Sequence, residues 1–124
     1  MPAIEQFELR KSVRDCLAED PVNGLCTEWA AISGLGTMPN WDVSKIRDMS
    51  RLFKDRRDFN VDITAWDVSN VDNMQEMFMN AVDFSRDISE WNFKLNVFKK
   101  DMFENAKKFF LDCEETKCYK FFKQ

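Results

Sequence analysis

The stretch "WDVSNVDNMQEMF", residues 66–78, restates "WDVSKIRDMSRLF", residues 41–53, at an offset of 25. Carried along the chain, that offset lines up a ladder of columns. Trp41, Trp66 and Trp91 share one, and Val43, Val68 and Phe93 another. Phe53, Phe78 and Phe103 form a third, and Phe59, Phe84 and Phe109 a fourth. Met49 meets Met74, Met77 meets Met102, Ala81 meets Ala106, and Asp62, Asp87 and Asp112 align. So many columns at one period mark a repeat array, in which each unit carries apolar residues that only its neighbours can bury.

Inside one unit the hydrophobic period changes. "DITAWDVSNV" spaces Ile63, Trp66, Val68 and Val71 with short polar gaps, which predicts an extended piece with tight turns. "NMQEMFMNA" then sets Met74, Met77, Phe78 and Ala81 at i, i+3, i+4, i+7, which predicts a helical turn or two. Asp67, Ser69, Asn70, Asp72 and Asn73 fill the bend with residues that satisfy turns through their own side-chain oxygens. Each unit therefore reads as a short strand, near 46–49 and 71–74, followed by a helical turn. The whole reads as an α/β stack with core residues Trp41, Trp66, Trp91, Phe53, Phe78, Phe103, Phe59 and Phe84.

These residues carry a resemblance. Met77-Phe78, Ala81, Phe84 and Asp87-Ile88-Ser89, with the Trp-Asp-Val-Ser-Asn-Val run at 66–71 and Met74, resemble the repeat of the BspA-like bacterial surface-protein family. That family is a leucine-rich-repeat-like group, much of it known only as domains of unknown function. The likeness spans residues 38–113 and is close over 41–91; "FELRKSVRDCL", ahead of it, resembles the helix that opens such arrays. The resemblance implies a right-handed solenoid used for protein–protein contact, in some members adhesion, with no catalytic residue and no cofactor. The third copy, "WNFKLNVFKKDMFENAKKFF", keeps the aromatic columns but loses the Asp-Val-Ser-Asn turn.

The flanks read as caps. A helix is predicted from Pro2 to Glu19, with Pro2 at its first position and Leu9, Val13, Cys16 and Leu17 on one face. "CTEWAAISGLG" brings Trp29 and Ile32 toward the first unit on a short helix stopped by Gly34 and Gly36. The organisation is thus a helical cap over 1–40 and a repeat region over 41–113, divided 41–65, 66–90 and a degenerate 91–113. A C-terminal cap over 114–124 follows. Cys113 and Cys118 fall in apolar columns and read as small core residues. A Cys113–Cys118 disulfide, a metal site and a Cys16–Cys26 bridge remain open alternatives.

Composition narrows function. Net charge is −4 and pI near 4.9, which argues against a general nucleic-acid binder. The chain has 4 cysteines and no histidine, so His-dependent nucleophiles are excluded. The only glycines, Gly24, Gly34 and Gly36, lack a phosphate-cradling spacing. No apolar run approaches the ~20 residues of a membrane span, and the N-terminus mixes acids and bases without an apolar h-region. The expectation is an intracellular protein, soluble or peripheral, without signal peptide, cofactor or catalytic activity.

The expected role is a protein-interaction module, a scaffold or accessory subunit of a larger assembly, with a homo-oligomer left open. Candidate partner contacts are the basic run Arg51, Lys54, Arg56 and Arg57, and the aromatic C-terminal end Phe109, Phe110, Tyr119, Phe121 and Phe122. Residues 91–124 carry a net charge of +3, which suits an acidic partner or a solvated, lysine-protected edge. The alternative is a calcium- or glycan-binding surface module. Its calcium would sit on the recurring Asp42, Asp62, Asp67, Asp72 and Asp87, which turn-capping also explains.

Overall fold

The structure is a computed structural model that describes residues 2–112. Those residues hold α1 (Gln6–Glu19), α2 (Thr27–Ser33) and α3 (Lys107–Asp112), with a 3₁₀ turn at Met38–Asn40. They contain no sheet. Extended pairing is limited to isolated parallel bridges, Ala3 with Asp42, Asp48 with Asn73, and Asn73 with Phe98. The α/β leucine-rich-repeat-like right-handed solenoid expected from the sequence is therefore incorrect. Neither the strands near 46–49 and 71–74 nor the helical turns after them form.

What replaces them explains the misreading. Met49, Arg51, Phe53 and Asp55 donate their backbone N–H groups to the carbonyls of Asn73, Gln75, Met77 and Met79. Met74, Glu76, Phe78 and Asn80 repeat this onto Phe98, Lys100, Met102 and Glu104, with all eight bonds at 2.7–3.0 Å. The intervening amides close four-residue turns, as Leu52 on Met49, Lys54 on Arg51 and Arg56 on Phe53. Arg51, Glu76 and Asp101 have φ near +57°, and Asp55, Asn80 and Asn105 near +63°. A left-handed residue at every fourth position breaks the run of right-handed dihedrals that an α-helix needs. Asp and Asn tolerate that region best, and the Asp55–Asn80–Asn105 column uses them twice over. Asn80 Nδ2 donates to Asp55 Oδ1 at 2.6 Å, and Asn105 Nδ2 to Asn80 Oδ1 at 2.9 Å.

The side chains of these turns still face one way. Met74, Met77, Phe78 and Ala81 are all fully buried, which is why their spacing imitates a helix. Across copies the rings stack: Trp41 on Trp66 at 6.3 Å, Phe53 on Phe78 at 5.7 Å and Phe78 on Phe103 at 5.3 Å. A second phenylalanine column, Phe59, Phe84 and Phe109, runs beside the first, with ring centroids 4.0–4.3 Å away within each copy. Stacked pairs of this kind add about 0.5–1.5 kcal/mol beyond area burial. The tryptophans also bond across copies: Trp66 Nε1–H donates to the Met38 carbonyl at 2.9 Å, and Trp91 Nε1–H to the Ile63 carbonyl at 3.1 Å.

The N-terminal end is closed by α1. Leu9, Val13, Cys16 and Leu17 are buried in the shared core, as their spacing predicts. The helix starts later than Pro2, because Ala3 pairs with Asp42 and Ile4 N–H bonds the Asp42 carbonyl at 2.9 Å. Glu8 caps the start by accepting from the Glu5 N–H at 2.8 Å. Gln6 holds the first copy from both sides, donating to the Asp48 carbonyl and accepting from the Arg47 and Asp48 amides. α2 ends at Gly34, left-handed at φ 76°. Its Trp29 ring lies 5.6 Å from Trp41, but Ile32 is 80% exposed and does not join the first copy.

Cys16 and Cys26 are joined in a disulfide that ties α1 to the segment leading into α2. Cys113 and Cys118 lie outside the described residues. A bridge closing a ten-residue separation constrains the unfolded chain by about 2.5–3 kcal/mol in the chain-entropy account. The urea midpoint is expected to fall by that equivalent in the double variant Cys16→Ser/Cys26→Ser, or on reduction. An unchanged midpoint would mean that the bridge does not hold the cap.

Candidate functional site

The four cations of the basic run differ in what they meet. Arg51 Nε and Lys54 Nζ both donate to Glu76 Oε1 at 3.1 Å, linking the first copy to the second. Glu76 is held below the usual carboxylate range chiefly by the Lys54 hydrogen bond. Arg56 is half-buried, and burial lowers its guanidinium pKa, whereas Arg57 faces solvent. Thus two of the four cations are engaged between the first and second copies, in partly exposed pairs on one carboxylate.

At the other candidate end, Phe109 is a core residue. It is 3% exposed and stacks on Phe103 at 4.0 Å and on Phe84 at 6.0 Å. Phe110 is 47% exposed. Tyr119, Phe121 and Phe122 lie outside the described residues.

Of the exposed apolar side chains, Phe110 belongs to the aromatic C-terminal set and the others lie outside it. Among the described residues the large ones are Phe7, Val22, Leu25 and Ile32 on the N-terminal side, and Leu95, Phe98, Phe110 and Leu111 on the other. None falls in 41–90, the span of the two clear copies. A signal for two of them was present in the ladder. Leu95 aligns with Lys45 and Asn70, and Phe98 with Asp48 and Asn73, so each puts an apolar residue into a polar column.

The aspartate columns act locally. Asp42, Asp62 and Asp67 each accept from the hydroxyl two residues on, Ser44, Thr64 and Ser69, at 2.6 Å, and also from that residue's N–H. Asp72 serves the neighbouring copies instead, pairing with Arg47 at 3.3 Å and with Lys94. No group of three or more metal-ligating side chains gathers among the described residues.

The hydroxyl bonds, first of all, hold Asp42, Asp62 and Asp67 below their ordinary value of 3.8. A depressed folded pKa gives stability that is present above the unfolded value and lost as pH falls through the folded one. The urea midpoint is therefore expected to hold from pH 7 down to about 5 and to drop below about 4. The triple variant Asp42→Asn/Asp62→Asn/Asp67→Asn keeps an acceptor oxygen but cannot titrate, and its acid loss is expected to be shallower. An identical acid profile would show that these turns do not carry the effect.

A groove of about 450 Å³ lies against α1 and α2, lined by Glu8, Lys11, Asp15 and Trp29 among others. It brings two carboxylates to one cleft, the arrangement a carboxylate acid–base pair would need. Both are already engaged: Glu8 caps α1, and Asp15 is ion-paired with Lys11, whose hydrogen bond lowers its pKa.

Against known proteins, residues 27–122 match the family described as Mycoplasma protein of unknown function, DUF285. The chain belongs to this family. The BspA-like resemblance is met at that level, a repeat-family domain of unknown function, and leucine-rich-repeat detail is not. The family match begins after α1 and Cys26 and takes in α2, both clear copies and the third. No curated protein matches the chain, and no solved structure does. Among the described residues no helix is long and apolar enough to cross a membrane.

Proposed function

We propose that this chain is a non-catalytic protein–protein interaction module, a scaffold or accessory subunit of a larger assembly. The observation that supports it is that, among the described residues, the exposed large apolar side chains lie on either side of the two clear copies, in the N-terminal cap and the third copy. Leu95 is fully exposed, Leu111 83% and Phe7 88%, while the two clear copies bury theirs. Exposed apolar area gathered in this way seeks cover from another surface. Size-exclusion chromatography with light scattering, joined to crosslinking in native extract, tests the reading. It expects the chain in a species heavier than its 14.7 kDa monomer. A free monomer without crosslinked partners would overturn it.

A second reading, a calcium- or glycan-binding surface module of adhesion type, is favoured by the Cys16–Cys26 disulfide. Such bonds persist in oxidising compartments and are rare in reducing ones. The same bond favours an oxidising location over the intracellular one expected from the sequence. A thermal midpoint unmoved by chelator would remove the calcium form.

A further inference from the structure

We infer that the groove against α1 and α2 binds a neutral pyranose ring, free or at the end of a glycan. The inference deepens the glycan form of the second reading above and names its site; the scaffold reading does not depend on it. The groove measures about 450 Å³, within the range of about 300–1,000 Å³ that ligand sites occupy. Glu8, Ser12 and Asp15 line it from α1 at i, i+4, i+7, so one stripe of the helix presents all three. Trp29 lines it from α2, half-buried and firmly placed. The Glu19 carboxylate accepts from the Glu28 and Trp29 N–H groups at 3.1 and 2.9 Å, and the Trp29 ring lies 5.6 Å from Trp41. The Cys16–Cys26 bridge ties α1 to the segment that leads into α2. The two walls are thus preorganised, and a ligand orders little of the protein on binding.

The chemistry of the walls selects the ligand. Ser12 is 5% exposed, and its hydroxyl makes no hydrogen bond among the described residues. No side-chain oxygen sealed from solvent lacks a partner there, so the Ser12 hydroxyl opens into the groove it lines. It can donate and accept. Glu8 accepts from the Glu5 N–H through one oxygen and keeps its second, an acceptor only. Lys11 spends one of its three N–H donors on Asp15. Charge argues against an ionic ligand. An anion meets Glu8 and Asp15, and a cation meets Lys11, which already neutralises Asp15. A neutral polyol suits this mixture, since each of its hydroxyls both donates and accepts. A pyranose also carries a face of C–H bonds, which complements the negative face of an indole.

The test titrates the full isotope-labelled chain with methyl glycosides of glucose, galactose, mannose and N-acetylglucosamine, read by NMR at the Ser12 amide and the Trp29 indole N–H. At least one is expected to shift both signals saturably, with millimolar affinity. Glucuronate, and glucosamine held protonated, are expected to bind more weakly than the neutral ring. Ser12→Ala removes one oxygen from a helix that tolerates alanine. It is expected to weaken binding about three- to tenfold, the equivalent of one neutral hydrogen bond, with the urea midpoint kept. Ile32→Ser, at an 80% exposed position outside the groove, is expected to leave binding unchanged. Signals that no neutral glycoside moves, or binding that Ser12→Ala leaves intact, overturn the site; equal binding of the charged rings overturns the neutral preference. A neutral-glycan array separates the sources. Stronger capture of the parent than of Ser12→Ala assigns a glycan end to the groove. Titration without capture assigns a free sugar and removes the glycan reading, while equal capture of both forms keeps that reading and shows this groove to be wrong.

Discussion

Trp66→Ala is expected to destabilise the protein by about 3–5 kcal/mol, the range of large aromatic truncations in a core. Trp66 is 3% exposed, stacks on Trp41 and lies 5.9 Å from Phe53. Its removal opens a cavity between the first and second copies. It also strips the Met38 carbonyl of its indole donor, and an unsatisfied buried acceptor costs about 1–3 kcal/mol. A domain of this size is stable by about 5–15 kcal/mol in total, so the variant is expected near or past its unfolding threshold at 25 °C. Trp66→Phe separates the two contributions by keeping a ring and losing the N–H. It is expected to cost less than half as much. Urea unfolding followed by circular dichroism reads both variants, and a stable Trp66→Ala protein would mean that the tryptophan column is not architecture.

Phe78→Ala is expected to lose about 3–5 kcal/mol as well, for a different reason. Phe78 is the hub of the double phenylalanine column. It is fully buried and its ring lies within 6.4 Å of Phe53, Phe59, Phe84, Trp91 and Phe103. Truncation therefore removes packing shared by all three copies, and one cooperative unfolding transition is expected to survive at a lower midpoint. Phe78→Leu refills part of the volume and is expected to cost less. Phe7→Ala, at an 88% exposed position, is expected to stay within about 0.5 kcal/mol of the parent. Equal losses at Phe78 and Phe7 would contradict the assignment of the core.

The contrast between these positions shows which parts of the molecule were legible in its sequence. The columns were, because burial in a stack depends on what stands one repeat away. Trp66, Phe78 and Met74 are buried for that reason. The face of α1 was legible too, since Leu9, Val13, Cys16 and Leu17 follow an ordinary helical period. The backbone between columns was not. An i, i+3, i+4, i+7 pattern records which side chains share a side, and left-handed turns at Glu76 and Asn80 meet it as well as a helix does. Arginine and glutamate at left-handed positions carry no turn signature, so Arg51 and Glu76 gave no warning.

The surface was harder. Phe109 stood in the Phe59 and Phe84 column, and that alignment outweighs its place in an aromatic tail. Ile32 lies on a helix too short for its period to define a face, and it points to solvent. The Cys16–Cys26 pairing could be drawn among alternatives but not chosen, since the turn at Pro21–Gly24 that brings the two together is a tertiary outcome.

In residues 49–55 and 74–80 alternate amides donate forward to the next copy, those between them close i to i+3 turns, and none takes the i to i−4 bond of an α-helix. Scalar coupling across hydrogen bonds, read by NMR on isotope-labelled protein, tests it directly. Correlations are expected from the Arg51 and Phe53 amides to the carbonyls of Gln75 and Met77, and from Glu76 and Phe78 to those of Lys100 and Met102. Correlations from residues 53–55 or 78–80 to carbonyls four positions earlier would restore the helix and contradict the ladder.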